Sequence, residues 1–223
     1  MQVLGSNLDV RSADYVANRD AMVEKLEEFE ELQSRARMGG GQKYIDRHRA
    51  RGKMLVRERI ELLIDPDTPF LEFSTLAAWG SQKPLGANVV TGIGVIEGVE
   101  CVISANDPTS QAGSSNRFTL AKTLRAQDIA LQNRMPLVNL VESGGADLPD
   151  QAEVFLTGGK WFRNLAHMSA RGIPTIALVF GNSTAGGAYV PAMCDYAVLV
   201  KEAAKVFLGG PPLVKMATGE EST

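Results

Sequence analysis

The amino-acid sequence predicts an α/β fold in which a helical arm precedes a mostly parallel sheet. Three observations carry this reading. Apolar runs at 136–142 and 174–181 read as buried strands, and each leads to adjacent glycines, Gly144-Gly145 and Gly186-Gly187. Helical patterns at 118–133 and 151–171 precede those strands, and such alternation calls for parallel pairing through right-handed crossovers. Upstream of residue 70, after a loose tail, the pattern reads as two helices.

Residues 1 to about 12 read as a loose tail, after which Ser12 can cap a helix. Met22, Leu26, Phe29 and Leu32 then recur at three- and four-residue steps, giving one amphipathic helix that Gly39-Gly40-Gly41 stops. A second helix is expected from Tyr44 to Leu63, and the turn Asp65-Pro-Asp-Thr-Pro69 closes the arm. The arm is thus residues 1–69, expected to lie on a main body of residues 70–223. That body opens with a short strand, Phe70–Phe73, and a hairpin pairing 88–96 with 100–104 across Gly98. Two helix–strand units follow, and a short helix from Gly187 leads to a last strand at 195–200. Gly92-Ile-Gly94 lies inside a strand, so it is no dinucleotide fingerprint.

Composition excludes several classes. The 223 residues contain no apolar run near the ~20 residues that a membrane span needs. Asp9, Arg11 and Asp14 stand where a signal peptide would need its apolar core. Two distant cysteines, Cys101 and Cys194, read as buried free thiols of a reducing, cytoplasmic compartment and cannot form a four-cysteine zinc site. No metal-ligand spacing is present. The net charge of −3 conceals an asymmetry: between Arg35 and Ile60 nine Lys or Arg face only Asp46 and Glu58, a local +7, so the remainder carries −10. This is either a solvated helix face or a polyanion site. Without interleaved aromatics it does not read as a nucleic-acid surface, and a small phosphorylated ligand fits better.

The chemistry follows by elimination. His48 and His167 accompany no nucleophile motif, and no Gly-x-Ser-x-Gly is present. Glu142 and Asp147 flank the first glycine pair, either as an acid/base pair or as carboxylates beside a helix start. What remains is backbone. Glycine lets a ligand approach closely, and the first N–H groups of a helix lack intrahelical partners. Two such corners side by side can form an oxyanion hole, which points to enolate or thioester chemistry.

The longer strings resemble the carboxyltransferase (β) subunit of biotin-dependent acyl-CoA carboxylases. They are the run from Gly39 to Asp65 around Arg47-His-Arg-Ala-Arg-Gly-Lys53, then Ala105-Asn-Asp-Pro-Thr109, Glu142-Ser-Gly-Gly-Ala-Asp-Leu-Pro149, Thr184-Ala-Gly-Gly-Ala-Tyr-Val-Pro-Ala-Met193 and Phe207-Leu-Gly-Gly-Pro-Pro-Leu-Val-Lys215. Details such as Gly-Gly-Pro-Pro favour the methylcrotonoyl-CoA branch over the propionyl-CoA branch.

The resemblance implies a crotonase-like fold for 70–223 and transfer of CO2 from carboxybiotin to an enolised acyl-CoA. It implies that Gly144 and Gly145 hold the thioester enolate through their N–H groups, with Gly186 and Gly187 as the neighbouring wall and second donor region. Ser143, Ala146 and Ala188 border those corners, Asn106 lies in the Ala105–Thr109 motif, and Arg51 and Lys53 are placed among the cations facing CoA phosphates. Biotin sits on a separate carrier, with a biotin carboxylase as partner, and the subunit is oligomeric. Two departures are Gln111 and Ala112, which stand where the family has lysine and glycine. The family's biotin-side domain does not follow before Thr223, so the sequence reads as a fragment or as a half that needs a partner. Two other readings are a non-catalytic CoA-binding or assembly module and a crotonase-type hydratase or isomerase. Against the latter, Tyr189 occupies the position of the hydratase glutamate.

Overall fold

The arm meets the sheet through its third helix and through contacts at Gly40 and Lys53. The computed structural model describes residues 5–221. The first four residues of the expected tail therefore lie outside it, and residues 5–9 have no regular structure. Ser12 caps α1 (Ala13–Arg37), its hydroxyl accepting from the Tyr15 N–H at 3.2 Å. The structure corrects two expectations about the arm. No residue of α1 is buried, and Met22 is 61% exposed, so the amphipathic stripe does not lie on the body. The expected helix Tyr44–Leu63 is two helices, α2 (Gln42–Arg49) and α3 (Val56–Leu63). Gly52, at φ +69°, turns the chain between them, a conformation that costs glycine little and breaks a helix. Glu58 then starts α3 by accepting the Leu55 N–H at 2.7 Å. Val56 and Ile60 of α3 pack against Ile103, Ala105, Val138 and Leu140, so this helix belongs to the core.

The sheet runs β1-β2-β3-β4-β5-β6. Its strands are β1 (Leu71–Glu72), β2 (Val89–Ile96), β3 (Val99–Asn106), β4 (Leu137–Ser143), β5 (Thr175–Thr184) and β6 (Tyr196–Leu199). β2 and β3 form the expected antiparallel hairpin, and the Asp65 carboxylate accepts both turn N–H groups, Glu97 at 2.7 Å and Gly98 at 2.8 Å. From β3 to β6 all pairing is parallel, including the adjacent β4 and β5, which run in register from Leu137↔Thr175 to Val141↔Val179. β4 is buried along its whole length, as continuous apolar strands of parallel sheets are. Helices α4 (Arg117–Asn133) and α5 (Gln151–Ala170) make the crossovers, and Ala126, Ala130, Leu165 and Met168 bury one sheet face.

A 3₁₀ turn over 185–188 leads into α6 (Tyr189–Met193). The sequence reading did not anticipate β7 (Lys205–Phe207) and α7 (Pro211–Thr218). β7 pairs with the far end of β5, so β5 holds β6 and β7 in succession along one edge.

Candidate functional site

Parallel order places the ends of β4 and β5 together, and the two glycine corners with them. Ser143 of β4 is in register with Ser183 of β5. A Cβ placed on Gly187 would touch Ser143, and one on Gly145 would lie 3.3 Å from the Thr184 carbonyl oxygen. Each corner is tied by its own serine. Ser143 Oγ accepts the Gly145 N–H at 3.2 Å, and Ser183 Oγ donates to the Gly187 carbonyl at 3.0 Å.

The first corner does not present two free donors, contrary to the expectation for Gly144 and Gly145. Gly144 donates its N–H to the Ala112 carbonyl at 2.9 Å, because the loop after β3 folds over it. Gly145, at φ +94°, turns back onto Ser143 Oγ. Ala146 bridges to Ser115 across the Ser115 N–H to Gly145 carbonyl bond of 2.8 Å. In the second corner, Gly186 is at the helix start, where N–H groups lack intrahelical acceptors, and no described residue accepts its N–H. Gly187 is buried, while Gly186 and Ala188 are half-buried.

A cleft of about 440 Å³ runs beside the first corner. Arg47, His48 and Arg51 line one side; Thr109, Gln111 and Ala112 line another. Gln111 and Ala112 adopt φ +46° and +54°, a left-handed conformation uncommon outside glycine. The sequence signalled these two residues as family departures without indicating their strain. The Ala112 carbonyl links the cleft wall directly to Gly144. Asn106 does not line this cleft; with Ser104, Ser143, Trp161 and Gly187 it borders a separate small pocket of about 20 Å³ at the two glycine corners.

The basic cluster divides. Arg49 pairs with Glu58 at 2.7 Å and Arg57 with Glu72 at 2.5 and 2.9 Å. Lys53 and Arg59 both pair with Glu142. Lys53 is therefore not directed at the cleft, which corrects its expected place facing phosphate. Arg47 and Arg51 are exposed, line the cleft and have no carboxylate partner among the described residues.

The carboxylates beside the first corner are also accounted for. Burial pushes the Glu142 carboxyl up, but the Lys53 hydrogen bond and the Arg59 charge outweigh it and hold the pKa below the ordinary range. Asp147 accepts from Lys83 at 2.8 Å, with Asp150 3.0 Å from the same ammonium. Glu142 is therefore not poised as a neutral acid, and Asp147 is engaged by Lys83. Cys101 and Cys194 are free thiols, and burial raises both, Cys194 to about 11. Among the described residues no cluster suits a metal ion, and no helix is long and apolar enough to cross a membrane.

Comparison with known proteins gives one consistent answer. A carboxyl transferase domain profile matches residues 47–223. The chain is 61% identical over 220 residues to a probable biotin-dependent acyl-coenzyme A carboxylase beta2 subunit of Mycobacterium tuberculosis, covering 99% of this chain and 42% of that one. It is 51% identical over 225 residues to the probable mitochondrial methylcrotonoyl-CoA carboxylase beta chain of Drosophila melanogaster, covering 98% and 39%. The beta subunit of Pseudomonas aeruginosa geranyl-CoA carboxylase superposes with a TM-score of 0.88 at 42% identity, over 100% of this chain and 41% of that one. The sequence thus spans about two fifths of the length of these relatives. The fold is crotonase-like, as the resemblance implied.

Proposed function

Because this chain belongs to the carboxyl transferase domain family, we propose that it forms the acyl-CoA-binding half of a biotin-dependent acyl-CoA carboxyltransferase. Residues 70–223 are the crotonase-like unit and 1–69 its arm. The observation that carries this is a cleft of ligand size, lined by two cations without carboxylate partners among the described residues and joined through the Ala112 carbonyl to the first of two glycine corners on adjacent parallel strands. Carboxybiotin, brought by a separate carrier and its biotin carboxylase, supplies the CO2, and the freed biotin supplies the base for the substrate α-proton. That division of labour suits a site where Glu142 and Asp147 are both engaged by cations.

The residues present take the following roles. Arg47 and Arg51 hold CoA phosphates at the mouth of the cleft, where a guanidinium fork matches phosphate geometry. Gly145 turns its N–H from Ser143 Oγ to the thioester oxygen, exchanging one acceptor for another as negative charge develops there. Gly186 provides the second donor. Gly144 keeps its bond to Ala112 and fixes the cleft wall. The N–H donors stabilise the enolate oxygen more than the ground-state carbonyl, which is the condition for catalysis. The acyl group belongs to the branched, methylcrotonoyl-like class. The assembly is oligomeric, and its two free cysteines agree with a cytoplasmic location.

The test is calorimetric titration of CoA into wild type and Arg47→Ala/Arg51→Ala at low and moderate salt. Removing two phosphate contacts should weaken binding about tenfold or more, with the larger loss at low salt, where screening is least. Carboxylation of 3-methylcrotonoyl-CoA, with the biotin-side half, biotin carboxylase and carrier all supplied, tests the reaction itself; the isolated chain should show none. Equal CoA affinity of wild type and variant at low salt would remove these arginines from the site.

A further inference from the structure

We propose that Lys53 and Arg59 are positioning residues for the first glycine corner, acting through the carboxylate of Glu142; this rests on the acyl-CoA reading above. Glu142 stands two residues ahead of Gly144 and is 6% exposed. Both of its oxygens are taken, Oε1 by Lys53 Nζ and Oε2 by Arg59 Nη2, the latter at 2.6 Å. Arg59 is fixed in turn: it is 4% exposed, and its guanidinium lies 4.5 Å from the Phe180 ring centroid of β5. At Gly181 a Cβ would strike the Glu142 carboxylate, so β5 gives way to this side chain. One carboxylate therefore joins the arm, β4 and β5.

The consequence reaches the corner through backbone. The Glu142 carbonyl packs against Gly113, whose neighbour Ala112 accepts the Gly144 N–H. A shift of Glu142 must move the cleft loop and the glycine corner together. A buried carboxylate that loses a cation is strongly destabilised, so the corner is held where the cations stand. Lys53 also follows Arg51 after a single glycine, in the turn between α2 and α3. The phosphate end of the cleft and the corner are thus connected by two residues of chain. Arg59 and Lys53 touch no substrate in this arrangement; they set where Gly145 points.

Titration of free CoA and of 3-methylcrotonoyl-CoA into wild type, Lys53→Met and Lys53→Arg, together with amide hydrogen exchange, decides this. Lys53→Met keeps the stem and leaves Arg59 on Glu142, so the chain should fold. It should hold free CoA within about twofold of wild type while losing about tenfold of its preference for the thioester, the equivalent of one hydrogen bond. Lys53→Arg should restore the preference. Exchange at 143–146 should accelerate in Lys53→Met and remain unchanged at 185–188. Equal weakening of CoA and thioester would make Lys53 a phosphate ligand, and unchanged preference with unchanged exchange would remove it from the corner; either overturns the proposal. If wild type bound neither ligand, the acyl-CoA reading would fail separately, and the exchange rates would still decide whether Lys53 holds the corner.

Discussion

The two glycine corners share a sequence pattern and differ in what surrounds them. The first is clamped. Lys53 and Arg59 hold Glu142 on its near side, and Lys83 holds Asp147 and Asp150 on its far side. Its two glycine N–H groups are already committed. The second corner has no ion pair among the described residues, and Gly186 keeps an unclaimed N–H. It adjoins open surface at Tyr189, which is 52% exposed. Identical Gly-Gly spacing thus yields one corner built for fixed geometry and one left accessible. Local sequence sets the turn, whereas distant charges set its rigidity.

This contrast can be broken most strongly at Glu142. Glu142→Ala leaves the Arg59 guanidinium buried without its carboxylate and should cost about 3–5 kcal/mol of stability, read by urea unfolding. An equivalent loss in Ser183→Ala, at the strand end that leads to the second corner, would erase the distinction. Next in size is Gly186→Val. A Cβ there meets only Phe162, 4.0 Å away, so the fold should persist while the side chain blocks ligand approach. Loss of one such donor is worth about 3 kcal/mol, or a hundredfold and more in carboxyl transfer. Unchanged turnover in a variant that melts normally would remove Gly186 from the donor set.

Gly145→Ala should show the opposite balance. A left-handed φ costs an L residue about 1–2 kcal/mol, and the added methyl crowds the Thr184 carbonyl, so stability falls before chemistry can be read. A Val at this position would not leave the fold intact, which makes Gly186 the cleaner probe. If Gly145→Ala melted like wild type, the first corner would not be rigid.

The smallest effect is in pH. Burial, the largest influence on His48, holds it below its ordinary 6.5, against opposing pulls from the Met54 carbonyl and Glu142. The folded protein therefore keeps His48 neutral, the unfolded chain takes up the proton first, and stability is lost as pH falls from 6.5 toward the folded value. Glu142, depressed below its ordinary 4.5, adds a second loss as pH falls from 4.5 toward its own folded value. Two-step acid destabilisation should appear in wild type, and the upper step should vanish in His48→Asn. A single step common to both would contradict the assignment.

Most of the sheet was legible because buried parallel strands are continuous apolar runs, and β4 and β5 were placed to within a few residues. The hairpin was legible from Gly98. The break at Gly52 was missed because the apolar spacing of Ile45, Leu55 and Ile60 continues through it. Strand β7 was missed because three residues, Lys205–Phe207, carry no periodicity and are ordered only by pairing with β5. In the site, the glycine corners and the basic cluster were visible as composition. Which cations remain free was not, since Lys53 and Glu142 are 89 residues apart and only the fold brings them together. The occupied N–H groups of Gly144 and Gly145 were invisible for the same reason, as their acceptors depend on the loop at Ala112 and on the φ of Gly145.

The central claim is that a thioester oxygen sits between the two corners and is polarised there. The infrared stretch of a 13C-labelled thioester carbonyl reports this directly, using 3-methylcrotonoyl-CoA bound to the chain. The account predicts a stretch lowered from its free value in the wild-type complex, and restored to near that value in Gly186→Val with CoA still bound. A carbonyl frequency in the wild-type complex equal to that of free 3-methylcrotonoyl-CoA would contradict it.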